Sequence, residues 1–274
     1  MMIDWREFAA GQHRITCLQC GRGPRDKTMG VTIDRDGGGV AHCFRCKSRH
    51  HRERASRKTS SNSPIRAVAA SKRESLSEYG RDLYRACKRV SGAARQYLDA
   101  RGCVIPPADG ALRWHEALRH PAGSQHGPVL MALVTDAVTR LPLTLHRTWI
   151  RADGRKADVD PPRMLLAGHR KAGGVIRLWP DEAVTAGLGV AEGIETALSL
   201  AHAISPVWAC VDAGNLAALP VLQGIEALTI AADADAAGRA AAHECAERWA
   251  RAGVDVRIVE PPVGDLNDVV QSDV

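Results

Sequence analysis

The chain has 274 residues, 45% hydrophobic and 25% charged, an ordinary globular composition that excludes collagen, mucin-like stalks and wholesale disorder. Its longest uninterrupted apolar run, residues 129–134, is far short of the roughly 18–20 residues needed to cross a bilayer, so no membrane span is expected. The opening MMIDWREFAA carries Asp4 and Glu7 where a secretory signal would be basic and apolar. That points to the cytoplasm, where cysteines stay thiols or become metal ligands.

The first motif in chain order is the sharpest. Cys17-Leu18-Gln19-Cys20 is followed, 22 residues later, by Cys43-Phe44-Arg45-Cys46. Two such pairs can set four thiolates tetrahedrally around one Zn²⁺, each pair on a tight turn. Between them MGVTID (29–34) alternates like a strand, Asp36-Gly37-Gly38-Gly39 turns, and Val40-Ala41-His42 returns, so a zinc ribbon over residues 1–50 is expected. Four cysteines complete the shell, leaving His13 and His42 as surface residues. Cys87, Cys103, Cys210 and Cys245 show no pairing pattern and read as small buried hydrophobes.

The net charge of +6 is unevenly spread. Nine basic residues lie between Lys47 and Arg73 against one acid, Glu53, giving +8 there and −2 for the rest. With TSSNSP (59–64) inside it and no apolar periodicity, residues 51–75 read as a flexible basic linker able to lie along nucleic-acid phosphates.

A basic α+β subdomain is expected over residues 76–182. Leu83, Ala86, Cys87, Val90, Ala94, Tyr97 and Leu98 recur near helical spacing, predicting one helix over 76–101 that Gly102 stops. Residues 128–150 read as a hairpin, VLMALV and LTLHRTWI about a polar turn, and 175–179 as a short strand. Arg147, Arg163 and Lys171 are candidates to grip triphosphate or template phosphates, and read equally well as surface charges.

From residue 183 strands and helices alternate: LGVA, VWACV, LTIAAD and VDVRIVE each precede a helical stretch, predicting a buried parallel sheet. Ligands bind at the carboxyl ends of such strands. Glu192 follows the first strand, Asp233 and Asp235 end the third, and Asp265 and Asp268 follow the fourth. Asp233 and Asp235, two apart, can share hard divalent cations if the chain stays extended. Asp235 could instead cap the next helix, and Glu192 could complement a helix dipole. A dinucleotide reading of the glycines at 187, 189 and 193 fails on spacing, and no phosphate-binding GxxxxGK[ST] loop, GxSxG elbow or HExxH helix occurs.

The segments VAEGIETA (190–197), ADADAAGR (232–239) and GDLND (264–268) resemble the Toprim domain of phage- and plasmid-type DNA primases. The order of ribbon, basic linker, basic subdomain and this domain (183–274) resembles them too, as do HRTW and PPRMLLAGHRKAGG. The resemblance implies an α/β fold with a Toprim-type parallel sheet flanked by helices, and a nucleotidyltransferase making RNA primers on single-stranded DNA from ribonucleoside triphosphates. It implies Mg²⁺ or Mn²⁺ on Asp233, Asp235 and Asp265, with Glu192 as general base or metal organiser and Glu195 and Asp268 as lesser members. It also implies a separate replicative helicase. Four positions after Glu192, where many such primases carry an acid, stands Thr196, with Glu195 one earlier. A Toprim nuclease and a non-catalytic zinc-ribbon DNA-binding accessory are the competing expectations.

Overall fold

The computed structural model describes residues 3–23, 26–34, 38–52 and 72–272, and it divides into two compact units, Met1–Ala67 and Val68–Val274. Most of the basic linker expected at 51–75 (residues 53–71) lies outside the described residues, as do Asp36 and Gly37 of the first turn.

The smaller unit is an antiparallel sheet with strands in chain order: β1 (Gly11–Ile15), β2 (Met29–Ile33), β3 (Gly39–Cys43) and β4 (Arg49–Arg52). Strands β2 and β3 form the expected hairpin, and their alternation puts Met29, Val31, Ile33, Ala41 and Cys43 on a face packed against Ile3. The sequence reading missed β1 and β4. GQHRI and RHHR offer too few apolar residues to alternate, and these strands form by backbone pairing to the hairpin's two edges.

In the larger unit the single helix expected over 76–101 is two, α1 (Glu78–Arg85) and α2 (Gly92–Ala100). Lys88 exchanges both backbone hydrogen bonds with Trp114, at 2.9 Å each, and Gly92 takes φ +51°. A β-bridge at Lys88 is incompatible with a continuous helix. An antiparallel sheet follows in the order β5 (Leu112–Arg119), β6 (His126–Asp136), β7 (Pro142–Trp149) and β8 (Arg163–Leu165), with β9 (Gly174–Val175) also on β6. The β6–β7 hairpin matches its expectation; the strand expected at 175–179 shrinks to β9 and an isolated bridge between Ile176 and Ala209. One face of this sheet, Leu130, Ala132 and Val134, packs on Ala94, Tyr97 and Leu98 of α2. The opposite face, Val129, Met131, Leu145 and Trp149, packs on Leu76 and on Leu83 and Tyr84 of α1.

The remaining chain alternates as predicted: β10 (Gly187–Ala191), α3 (Ile194–Leu200), β11 (Val207–Ala209), α4 (Ala213–Ala217), β12 (Ala227–Ala231), α5 (Ala236–Arg251), β13 (Asp255–Val259) and α6 (Leu266–Ser272). All four strands are parallel, in the order β11-β10-β12-β13. Helix α3 covers one face in a core shared with α2, while α4 and α5 cover the other through Leu216, Ala241, Cys245 and Trp249. Cys103, Cys210 and Cys245 are buried as expected, and Cys87 is only half-buried. Among the described residues no helix is long and apolar enough to cross a membrane.

Candidate functional sites

The Sγ atoms of Cys17, Cys20, Cys43 and Cys46 all lie within 4.8 Å of one another, with Cys17–Cys46 and Cys20–Cys43 at 3.6 Å. Tetrahedral Zn–S bonds of about 2.3 Å set sulfurs about 3.8 Å apart, so the four thiols fit a structural zinc. Two amides already point at the sulfurs: Gln19 N–H donates to Cys17 Sγ and Cys46 N–H to Cys43 Sγ, each at 3.4 Å. Arg45 ties the two turns together, bonding the Cys20 carbonyl and both Asp26 oxygens.

The outer face of the same sheet carries Gln12, Arg14, Thr32, Val40, His42, Arg49 and His51 in adjacent register rows. Phe44, 51% exposed, lies across it with the Arg14 guanidinium 4.4 Å from its ring centre and His42 edge-on. Gly30 makes room for it, since a Cβ there would come within 3.0 Å of Phe44 Cε2. In sequence Phe44 is only the spacing within a CxxC pair; its position on this face comes from the fold.

The second site is a polar pocket at the carboxyl ends of the parallel strands, lined by Glu192, Asp233 and Asp265 on one side and by Arg101, Lys156, Arg163 and Glu195 on the other. Each acid is placed by a chain end. Glu192 leaves β10, and the nearby Ala213 N–H favours its charged form. Two residues before that amide is Val211, a β-branched residue lining the pocket at φ +72°, a strained conformation of the kind that collects at functional sites. Asp233 follows β12, and Gly238 lets α5 pass over it, a Cβ there meeting Asp233 O at 2.7 Å. Asp265 caps α6, and Asp268 reaches back to the Asp265 N–H at 3.1 Å, which occupies Asp268 in capping. Gly264 takes φ +73°, a conformation strained for any other residue, and the Asp268 carboxylate fills the space a side chain there would need.

Asp235 caps α5, its Oδ1 accepting from Ala237 and Gly238 at 2.9 and 2.8 Å, so the capping alternative is realised. It remains near enough to Glu192 and Asp233 to raise both. Burial first, then Asp233, Asp212 and Asp235, push Glu192 up to about 7. Burial, then Asp265 and Asp235, push Asp233 up to about 6. Asp233 Oδ1 is buried and has no hydrogen-bond partner among the described residues. Crowded carboxylates, one with an orphaned oxygen, are the donor type a hard divalent cation takes, so the residues fit Mg²⁺ or Mn²⁺ by chemistry; among the described residues only the four cysteines bring three or more ligand atoms within 4.8 Å of one another, so the acids would have to close up around an ion.

The basic candidates separate. Arg163, on β8, faces the pocket, and Lys171 pairs with Asp212 just after β11. Arg147 is turned to the opposite face of β7, opposite Met131 and Met164, donating to the Leu165 carbonyl and lying over Trp149. Its neighbour His146 faces the site side, where burial and Arg163 lower it to about 4, a neutral imidazole. Glu195 is buried, although burial opposes its charge; Arg163, Lys156 and Tyr97 hold it down at about 2. Arg101 and Lys156 were not foreseen. Arg101 reaches the pocket because its Nε donates to Asn267 of α6, which bonds back to the Arg101 carbonyl.

Residues 187–273 match the family model of the Toprim domain, and they hold the four-stranded parallel sheet with the acids at its carboxyl edge. Residues 74–178 match a family described only as a domain of unknown function. No curated protein matches the chain. Among solved structures, the primase fragment of the bacteriophage T7 primase-helicase protein is similar at 19% identity and a TM-score of 0.45, over 95% of each chain. The zinc-binding and RNA polymerase domains of the Aquifex aeolicus primase are similar at 14% identity and a TM-score of 0.45, over 98% of this chain and 80% of that one. A DNA primase domain from Pseudomonas aeruginosa is similar at 15% identity and a TM-score of 0.37, over 67% and 56%.

Proposed function

We propose that the protein is a DNA primase that synthesises short RNA primers on single-stranded DNA by metal-dependent nucleotidyl transfer. The observation that carries the reading is the union in one chain of a four-cysteine cluster with a Toprim domain whose acids converge with cations on one pocket. The reading divides the chain into ribbon (1–50), basic linker (51–75), basic α+β subdomain (76–182) and Toprim domain (183–274).

Primer synthesis joins a 3′-oxygen to the α-phosphorus of a ribonucleoside triphosphate, breaks the bond to the β-phosphate oxygen, and releases pyrophosphate with the electron pair. Mg²⁺ or Mn²⁺ held by Asp233, Asp265 and the free oxygen of Asp235 would acidify the 3′-hydroxyl and neutralise the leaving charge. Glu192, raised to about 7, titrates where a general base is most useful and can accept the hydroxyl proton. Arg163 and Lys171 supply positive charge toward phosphates. A replicative helicase would supply the single-stranded template.

The ribbon's outer face fits single-stranded DNA, with Phe44 as a stacking platform flanked by Arg14, His42, Arg49 and His51. Phe44→Ala is expected to weaken binding of a single-stranded oligonucleotide roughly 5- to 150-fold, or 1–3 kcal/mol for one stacked base, with zinc content unchanged. Fluorescence anisotropy reads the affinity.

The test of the function uses the full chain, single-stranded DNAs of varied sequence, labelled ribonucleoside triphosphates and Mg²⁺ or Mn²⁺. Short template-dependent oligoribonucleotides are expected. Template cleavage without nucleotides would replace the reading with a nuclease, and DNA binding without any product would replace it with an accessory role.

A further inference from the structure

Within the pocket two carboxylates are in opposite states. Asp233 has a buried oxygen that receives no donor among the described residues. Glu195, whose side chain is 7% exposed, receives three: Arg163 Nη2 at 3.2 Å to each oxygen and the Tyr97 hydroxyl at 2.7 Å. A metal ion is drawn to the first, whereas binding the second means taking a buried carboxylate from its Arg163 and Tyr97 donors.

The cations around Glu195 are under-used in turn. Arg163 bonds Glu195 through Nη2 alone, leaving Nε and Nη1 without hydrogen-bond partners among the described residues. The Lys156 ammonium makes no hydrogen bond or ion pair there, although it is half-buried. Arg101 spends Nε on Asn267 and Nη1 on the Gly154 carbonyl, leaving Nη2. Glu195 therefore balances one of the three positive charges that line the pocket together with Glu192, Asp233 and Asp265. A di- or triphosphate fits this division: some of its oxygens meet the metal on the acids, and others the unspent donors of the cations.

We infer that Glu195 is a positioning residue, not a metal ligand: it fixes Arg163 so that Arg163, Lys156 and Arg101 form a seat for the phosphate chain of the incoming nucleotide. The nucleotide assignment rests on the primase reading, while the seat itself rests on the pocket. Holding Arg163 in one rotamer before the ligand arrives removes ordering cost from binding.

The test measures two affinities of the full-length, zinc-loaded chain: Mn²⁺ by electron paramagnetic resonance, and inorganic pyrophosphate at fixed free Mg²⁺ by calorimetry. Glu195→Gln and Lys156→Gln are each expected to weaken pyrophosphate binding about tenfold or more while leaving Mn²⁺ affinity and stoichiometry within about twofold, the energy scale of one charge-assisted contact. The paired variant Glu195→Gln with Arg163→Gln removes both charges together, so it keeps the core neutral should the single variant fail to fold. It too is expected to bind Mn²⁺ normally. Loss of Mn²⁺ binding in either Glu195 variant would make Glu195 a ligand and overturn the inference. Unchanged pyrophosphate affinity in Lys156→Gln would remove the seat. Wild-type protein that shows both affinities yet makes no primers would refute the function and leave the seat standing.

Discussion

Asp233→Asn is expected to abolish primer synthesis, by at least about a thousandfold, and at the same time to make the protein without added Mg²⁺ or Mn²⁺ more stable at pH 8. The first effect follows from removing the carboxylate whose orphaned oxygen would hold a metal. The second follows from crowding. Folding raises Glu192 to about 7 and Asp233 to about 6, above unfolded values of about 4.3 and 3.9. Between about pH 4 and 7 the folded state thus holds more protons than the unfolded one, so stability falls as pH rises through that window and levels off above it. The larger shift corresponds to at most roughly 2–3 kcal/mol, because the carboxyls keep some contact with solvent. Asparagine removes one charge and relieves the others, which should raise the melting temperature at pH 8 by about 3–8 °C, and by little at pH 4.5. Mn²⁺ should stabilise the wild type more at pH 8 than at pH 5.5. Tryptophan fluorescence is a suitable probe, since five of the six tryptophans lie in the larger unit. A melting temperature at pH 8 lowered by the substitution would count against the crowded-acid account. Asp235→Asn is the companion variant, because asparagine keeps the α5 cap that alanine would lose at about 1 kcal/mol.

Cys43→Ser should release the zinc and unfold the smaller unit. Its buried side chains, Ile3, Met29, Val31, Ile33 and Ala41, are few, and two of its four strands bury almost nothing. Metal binding of about 10–16 kcal/mol is folding energy in a unit of this kind. Zinc per chain should fall from one to none, and proteolysis should then cut within residues 3–52. The melting temperature of the larger unit should hold, and stable DNA binding should be lost. A variant that keeps the unit resistant to protease without zinc would show that the sheet holds itself together.

What the sequence disclosed and what it hid divide along a physical line. The four cysteines and the strand–helix alternation after residue 183 are local patterns, and both were legible. The acids were legible through position alone, since parallel strands deliver whatever follows them to one edge. Strand β7 was legible as a strand but not in phase. Every residue from Leu143 to Trp149 is buried, so no polar stripe tells which of His146 and Arg147 faces the acids, and only pairing with β6 and β8 decides it. Arg101 and Lys156 lie some 55 residues apart in the sequence, a separation no periodicity can bridge. The break between α1 and α2 had a local sign in Ser91-Gly92, outweighed by the apolar spacing around it.

The core shared by α2 and α3 bears on how this protein can be dissected or inherited. Tyr97 and Leu98 are fully buried in the same cluster as Ile194, Ala197 and Leu198, and Tyr97 also reaches Glu195. A fragment beginning at residue 183 would bare that face to water and strip Glu195 of both its side-chain donors, Tyr97 and Arg163, so it should aggregate instead of standing alone. The pocket acids and the preceding subdomain are therefore one heritable piece: recombination between related genes that cut near residue 183 would join halves with mismatched packing, and the joint tolerated by the fold lies upstream of α1.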